Sequence, residues 1–189
     1  MGTILGPTAS DAQLTHSLTL AVKHVIVARM SEVQQLAAKI GEILRDHKLT
    51  LSAAESCTGG LLSSYITDVP GSSEYFLGGV VAYAYSAKER LLDVQHETLF
   101  EFGAVSRQTA LEMAHGARRA FRSDLALGIT GIAGPGGGMP DKPVGLVYIA
   151  LVGRDTERCE RYVWDRDRAG NKELSAGAAL RMLQEYLTA

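Results

Sequence analysis

Hydrophobic residues recur at helical spacing in two long segments of the chain. After Ser31 and again after Ser106 they return every three or four positions, which is typical of helices with one buried face. Ser31 and Gln34 also have the identity and spacing of a capping box, so we expect the first helix to begin there. The hydrophobic positions are Val33, Leu36, Ala37, Ile40 and Leu44 in the first segment and Ala110, Met113, Ala114, Ala117 and Phe121 in the second.

Short runs of apolar and β-branched residues alternate with these helices and predict strands. The runs cover residues 50–54, 78–84, 125–130, 144–152 and 157–163, with 78–84 interpreted as a buried strand and 157–163 as an edge strand. Further helices are predicted over residues 61–67, 86–92 and 171–187. Because alternating strands and helices form layered folds, we predict an α/β protein, a three-layer sandwich with a mixed, largely parallel sheet.

The first 30 residues differ in pattern from the rest of the chain. The apolar run at residues 18–22 is interrupted by Lys23 and His24, so it is too short to span a membrane and lacks the pattern of a secretory signal. A chain of 189 residues with 46% hydrophobic residues fits one domain. We therefore expect residues 1–30 to be an N-terminal extension of doubtful structure and residues 31–189 to form the domain.

Charge and cysteine content exclude several classes of protein. A formal net charge of −2 gives no reason to expect nucleic-acid binding. Two cysteines, Cys57 and Cys159, are too few for a disulfide framework and favour a reducing compartment such as the cytoplasm. The five histidines show no metal-ligand spacing, so we expect no metal and no cofactor.

Ser56 lies between a predicted strand and a predicted helix. Free N–H groups at such a turn can stabilise an anion, which suits a nucleophile and its oxyanion hole, but a serine there can equally be a helix cap. Cys57 is the rival nucleophile, because a helix N-terminus lowers the pKa of a thiol. The alternative for Cys57 is a small buried hydrophobic residue.

The second and third candidate loops follow other predicted strands. Lys88 could be a general base if it is desolvated, or a solvated lysine on a helix surface. Tyr83 could orient a substrate or only pack. Seven glycines lie between Gly128 and Gly145, and they form either an anion-binding nest or tight structural turns. Loops at the carboxyl ends of strands form the ligand crevice of α/β sheets, so residues 55–60, 83–88 and 130–143 are expected to meet.

Six motifs in this order resemble the CinA C-terminal domain family. They are AESCTGG at 54–60, GSSEYFLGGV at 71–80, YAYSAK at 83–88, GAVS at 103–106, TGIAGPGGG at 130–138 and KPVG at 142–145. The resemblance implies a metal-free hydrolase that converts nicotinamide mononucleotide (NMN) to nicotinate mononucleotide and ammonia in pyridine nucleotide recycling. Longer CinA proteins carry a further N-terminal domain, which is not seen in this sequence.

The same resemblance implies a role for individual residues. Ser56 matches the family nucleophile and Lys88 its base, with Tyr83 in the catalytic site. The N–H groups near Thr58, Gly59 and Gly60 are expected to hold the oxyanion. The substrate nucleotide is expected to contact Thr130, Gly131, Gly134 and Arg168, the last of which otherwise belongs to a solvated charge run.

Two positions depart from the family pattern, and other functions stay open. Tyr85 stands where the family often has Asn, and Lys172 where an arginine is common. The alternative functions are a non-catalytic nucleotide-binding regulatory module and a cysteine hydrolase with Cys57 as nucleophile. The resemblance further implies a small-molecule nucleotide as partner, no membrane, and a homo-oligomer.

Overall fold

A five-stranded sheet forms the middle layer of the protein, whose residues 31–189 are described by a computed structural model. The predicted N-terminal extension of residues 1–30 lies outside the described residues. In chain order the elements are α1 (Glu32–Asp46), β1 (Leu51–Glu55), α2 (Leu61–Thr67), a 3-10 turn (Ser72–Glu74), β2 (Phe76–Val81), α3 (Tyr85–Leu92), α4 (His96–Glu101), α5 (Arg107–Phe121), β3 (Leu125–Gly131), β4 (Leu146–Val152), β5 (Glu157–Val163) and α6 (Arg168–Leu187).

The strand order β2-β1-β3-β4-β5 divides the sheet into a parallel and an antiparallel part. Strand β1 pairs in parallel with β2 and β3, whereas β3–β4 and β4–β5 are antiparallel. The predicted mixed sheet is thus confirmed, with its parallel pairs at one end. Glu55 lies opposite Val81 and Ile129. The residues that follow these three strand positions therefore lie side by side where the carboxyl ends of the three strands meet.

Helices cover both faces of the sheet, which confirms the three-layer sandwich. Helices α1, α2 and α6 share one hydrophobic cluster with side chains of the central strands, for example Leu127 and Ile129. Helices α3, α4 and α5 share another cluster, with Ala126 and Ala150 on the opposite face of the sheet. Successive residues of a strand point to opposite faces, so each central strand contributes to both clusters.

The predicted helix starts have a clear basis in side-chain capping. Ser31 Oγ accepts a hydrogen bond from Gln34 N, and Gln34 Oε1 accepts from Ser31 N, so the capping box at the start of α1 is present. At α5, Ser106 Oγ accepts from Thr109 N. No helix within residues 31–189 combines the length and the apolar character that crossing a membrane requires.

Three predicted boundaries are wrong. The strand predicted as buried over residues 78–84 is the edge strand β2, whose residues are alternately half-buried and exposed and which ends at Val81. The strand predicted over residues 144–152 is β4, which begins only at Leu146, because Gly145 before it has φ +86°. Helix α6 begins at Arg168 rather than at residue 171, since Asp167 Oδ1 accepts from Gly170 N and caps it. Helix α4 was not predicted.

Candidate functional site

A cavity of about 260 Å³ opens at the edge of the sheet where the parallel strands end. It receives residues from all three loops that were expected to meet there. Among the candidate residues, those that line the cavity are Ser56, Cys57, Tyr83, Lys88, Thr130, Gly131, Gly134 and Arg168. Thr58, Gly59 and Gly60 do not line it. The cavity is thus formed mainly by one face of the Ser56 turn, the start of α3 and the glycine-rich loop.

Ser56 and Lys88 form a buried pair at the base of this cavity. Ser56 directly follows β1, its N–H donates to Ile129 O over 2.9 Å, and only 8% of the residue is exposed. Lys88 lies one turn into α3 and is 1% exposed. Lys88 Nζ is 2.9 Å from Ser56 Oγ, which is hydrogen-bonding distance. The pair therefore has the geometry of a base and the hydroxyl from which it can remove a proton.

Burial makes the charged form of Lys88 less favourable than that of an exposed lysine. Its ammonium donates to Ala82 O over 2.7 Å and to Tyr83 O over 3.3 Å, and it makes no ion pair with a carboxylate in the described part of the chain. Burial lowers the pKa of Lys88 from 10.5 to about 8, while the neighbouring Cys57 acts in the opposite direction. A lysine with such a pKa is partly neutral near physiological pH and can accept a proton.

Burial makes the Cys57 thiol a poor nucleophile, whereas it makes Lys88 a better base. Cys57 is buried, and burial raises the pKa of its thiol to about 12. The thiolate, which is the nucleophilic form, is therefore scarce at neutral pH. This environment matches the interpretation of Cys57 as a small buried hydrophobic residue.

The turn after Ser56 differs from the arrangement expected for the oxyanion. Gly59 N–H donates to Ser56 O over 3.1 Å, and Gly60 N–H donates to Glu55 Oε2 over 3.0 Å, so both N–H groups are already used within the protein. The N–H groups of Cys57 and Thr58 lie beside the Cys57 thiol and donate to no protein oxygen within residues 31–189. Gly59 and Gly60 have positive φ, +64° and +95°, and bend the chain directly after these N–H groups.

Thr130 and the segment before α5 form a second wall of the cavity. Thr130 is the residue after Ile129 in β3 and is 1% exposed. Its Oγ1 donates to Ala104 O over 2.5 Å. This bond fixes the 104–105 backbone, which also lines the cavity, against the end of β3.

Arg168 connects three segments across the mouth of the cavity. It is the first residue of α6, and its guanidinium donates to Gly134 O over 2.6 Å and to the Tyr83 hydroxyl over 2.8 Å. The predicted alternative, a side chain that belongs only to a solvated charge run, does not describe this arginine, although the residue is exposed. Tyr83 is 61% exposed, and its hydroxyl bond to Arg168 orients it at the rim.

Two residues that sequence reasoning missed organise the site. Glu55 is fully buried, and its carboxylate accepts hydrogen bonds from the turn and helix that follow Ser56. Asn171 is 1% exposed; its Nδ2 donates to Ala133 O over 3.0 Å, and its Oδ1 accepts from Arg166 N over 3.1 Å. Two signals in the sequence could have found them: a charged residue at the end of a mostly apolar strand, and a polar residue about one turn after Arg168.

Comparison with known proteins gives one consistent family. The profile of the CinA C-terminal domain family matches residues 33–187. A CinA-like protein of Citrifermentans bemidjiense is 44% identical over 186 residues, which are 97% of this chain and 45% of that protein. A putative competence-damage inducible protein of Desulforudis audaxviator is 45% identical over 175 residues, covering 93% of this chain and 42% of its own. The chain thus spans less than half the length of these curated relatives.

Solved structures agree with this assignment. The competence/damage inducible protein CihA from Agrobacterium tumefaciens is 42% identical with a TM-score of 0.79, over 85% of this chain and 98% of that one. A CinA superfamily protein from Klebsiella pneumoniae is 30% identical with a TM-score of 0.81, over 84% and 99% of the two chains. The likeness covers nearly the whole of both solved chains.

Proposed function

Because the chain belongs to the CinA C-terminal domain family, we propose that its cavity is the active site of a serine amidohydrolase that converts NMN to nicotinate mononucleotide and ammonia. The observation that carries this proposal is the buried Ser56–Lys88 pair, 2.9 Å apart, with the pKa of Lys88 lowered to about 8. The family resemblance supplies the substrate, and the pair supplies the chemistry.

In the first step, neutral Lys88 removes the proton of the Ser56 hydroxyl while Oγ bonds to the amide carbon of the substrate. The carbonyl π electrons move to oxygen, which becomes the oxyanion of a tetrahedral intermediate. We assign the backbone N–H of Cys57, a residue that lines the cavity, as a donor to this oxyanion, because the N–H groups of Gly59 and Gly60 are engaged elsewhere.

In the second step, the C–N bond breaks and protonated Lys88 gives its proton to the departing nitrogen, which leaves as ammonia. The acyl group remains on Ser56 as an ester. Water then attacks this ester, with Lys88 accepting the water proton and returning it to Ser56 Oγ. The balance is one amide and one water consumed, and one carboxylic acid and one ammonia formed.

Binding of the nucleotide is assigned to the rim of the cavity. Gly131 and Gly134 line the cavity, and the Arg168 guanidinium is suited to phosphate oxygens. Arg168 is held at the rim by Gly134 O and Tyr83 Oη, so a substrate finds it already oriented. Thr130 closes the inner wall beside the reacting group.

Release of ammonia from NMN by the purified chain tests the proposal. We expect Ser56→Ala and Lys88→Ala to lose activity by about a thousandfold or more, with a folded domain by circular dichroism. Ser64→Ala and Lys39→Ala make the same substitutions at exposed positions of α2 and α1 and should retain activity. Activity that survives in Ser56→Ala would contradict the nucleophile.

A non-catalytic nucleotide-binding module is an alternative that the same preparation distinguishes. Calorimetry that detects NMN binding, together with an absence of ammonia release at pH 8 to 9, would favour that module. The cytoplasmic location and the homo-oligomer belong to the proposal as well. Light scattering of the purified chain measures the number of subunits.

A further inference from the structure

A buried carboxylate lies on the far side of the turn that presents Ser56. Glu55 is the last residue of β1 and is fully buried. Its Oε2 accepts from the N–H groups of Gly60 over 3.0 Å and Leu62 over 3.1 Å. Its Oε1 accepts from Ser63 N over 2.8 Å and from Ser63 Oγ over 2.6 Å. We propose that Glu55 is a positioning residue that holds Ser56 in reach of Lys88, an inference that rests on the proposed function.

Helix α2 depends on this carboxylate because it has no cap of its own. The residue at its N-cap is Gly60, with φ +95° and no side chain to accept a hydrogen bond. The first N–H groups of a helix have no partner within the helix and need one from outside. Glu55 supplies that partner from the preceding strand.

The strand anchors the carboxylate firmly. Glu55 O accepts from Ala82 N over 2.8 Å, and Glu55 lies in register with Val81 and Ile129 on the two neighbouring strands. The Ser56 turn therefore has both ends attached to the same residue, its start through the peptide bond and its end through the carboxylate. The position of Ser56 Oγ depends on this closed arrangement.

Lys88 is positioned by separate contacts. Its Nζ is held by Ala82 O and Tyr83 O, which do not involve the Glu55 side chain. Loss of the Glu55 carboxylate should therefore move Ser56 relative to Lys88 while Lys88 and its titration stay in place. A displacement of a reacting group by about 1 Å can lower a rate about a hundredfold.

Glu55→Gln is the central variant, because it keeps the shape but turns an N–H donor toward backbone N–H groups. We expect kcat for ammonia release from NMN to fall about 10- to 100-fold, with KM within about threefold and the pH midpoint of the wild type. Asp124→Asn is the matched control, since Asp124 accepts from Thr50 N and Thr50 Oγ1 at the opposite edge of the sheet. It should lower the melting temperature and leave kcat unchanged.

Ser63→Ala provides a milder test should Glu55→Gln fold poorly. It removes one of the four donors to Glu55 and should lower kcat by a smaller factor, again without a change in KM. Wild-type kcat in Glu55→Gln would overturn the inference. So would a shifted pH midpoint, which would mean that Glu55 acts on the charge of Lys88.

A crystal structure of Glu55→Gln, or of Ser63→Ala, measures positioning without reference to the reaction. We expect the Ser56 Oγ–Lys88 Nζ distance to exceed 2.9 Å clearly, with Lys88 Nζ still near 2.7 Å from Ala82 O. An unchanged Ser56–Lys88 distance would overturn the inference. The distance measurement tests the inference even if the wild-type chain releases no ammonia from NMN. A lack of ammonia release would contradict the proposed function but not the positioning role of Glu55.

Discussion

Lys88 Nζ lies 2.9 Å from Ser56 Oγ, and within residues 31–189 its other hydrogen-bond partners are two backbone carbonyls. The ammonium is therefore buried without a compensating charge among the described residues. Such a lysine is costly for the fold and useful as a base, because both properties come from the same lowering of its pKa. Replacement of Lys88 by an apolar residue should consequently remove activity and increase stability.

The pH dependence of ammonia release should follow the titration of Lys88. With a pKa of about 8, the fraction of Lys88 that is neutral rises about tenfold for each unit of increasing pH up to that value, and it levels off above it. Initial rates in buffers of constant ionic strength should rise through about pH 8 and level off. Rates that do not change between about pH 6 and 8 would exclude Lys88 as the base.

Lys88→Met should abolish activity and stabilise the fold. Lowering the pKa from 10.5 to about 8 corresponds to about 3 kcal/mol, and loss of the bond to Ala82 O offsets about 1 kcal/mol of the gain. We expect the free energy of unfolding at pH 7 to increase by about 1–2 kcal/mol in urea titrations. Lys39→Met, at an exposed site, should give no such gain.

The stability difference between wild type and Lys88→Met should itself depend on pH. An unfolded lysine keeps its ordinary pKa, so between about pH 8 and 10.5 the unfolded state binds more protons than the folded state. The wild type therefore becomes more stable as the pH rises over this range, and the difference in free energy of unfolding between the two proteins narrows. A difference that is constant with pH would show that Lys88 is not desolvated.

Alkylation should leave the activity intact. The Cys57 thiol is buried and its pKa is about 12, so iodoacetamide at pH 7 to 8 should not inactivate the protein. Cys57→Ala should keep kcat within a few-fold, whereas Ser56→Ala should not. Rapid inactivation that NMN prevents, together with an inactive Cys57→Ala, would support the cysteine hydrolase instead.

Arg168→Lys should impair binding more than turnover. An ammonium cannot donate in two fixed directions to Gly134 O and the Tyr83 hydroxyl as the guanidinium does. We expect KM for NMN to rise about tenfold with kcat within about threefold. The control is Arg166→Lys, an exposed arginine two residues earlier. Equal effects at both positions would show that the two hydrogen bonds of Arg168 do not account for the weaker binding.

A glycine contact between α3 and α5 should be sensitive to a single methyl group. A Cβ at Gly116 would lie 2.0 Å from Leu92 O, a backbone atom that cannot rotate away. We expect Gly116→Ala to lower the free energy of unfolding by about 2 kcal/mol or more. Gly136→Ala, where a Cβ meets nothing within 4 Å, should change it little in the same denaturation experiment.

The helices and central strands could be predicted because their signals are local. Ser31 and Ser106 cap helices as their sequence context indicates, and the alternation of elements leads to the three layers. The limits of β2 were missed because they are set by pairing with β1, which is a long-range property. Helix α4 has six residues and too few turns for hydrophobic periodicity to emerge.

The site was predictable to the level of its loops and less so in its detail. Motif order pointed to Ser56 and Lys88, but the burial that distinguishes a base from a surface lysine arises only when the Lys88 side chain meets the residues that follow β1 and β2. The engagement of the Gly60 N–H could not be foreseen either, because it depends on the direction of the Glu55 side chain, and that of the Gly59 N–H depends on the conformation of the turn.

The antiparallel half of the sheet offers a place to attach the protein to something else. Because Val152 pairs with Ala126 near the start of β3, the turn at residues 153–156 lies at the edge of the sheet opposite the cavity. A fluorophore, an inserted peptide tag or a link to a solid support at this turn would face away from the reacting groups. An electrode or bead coated through these residues would present every cavity outward to the solution.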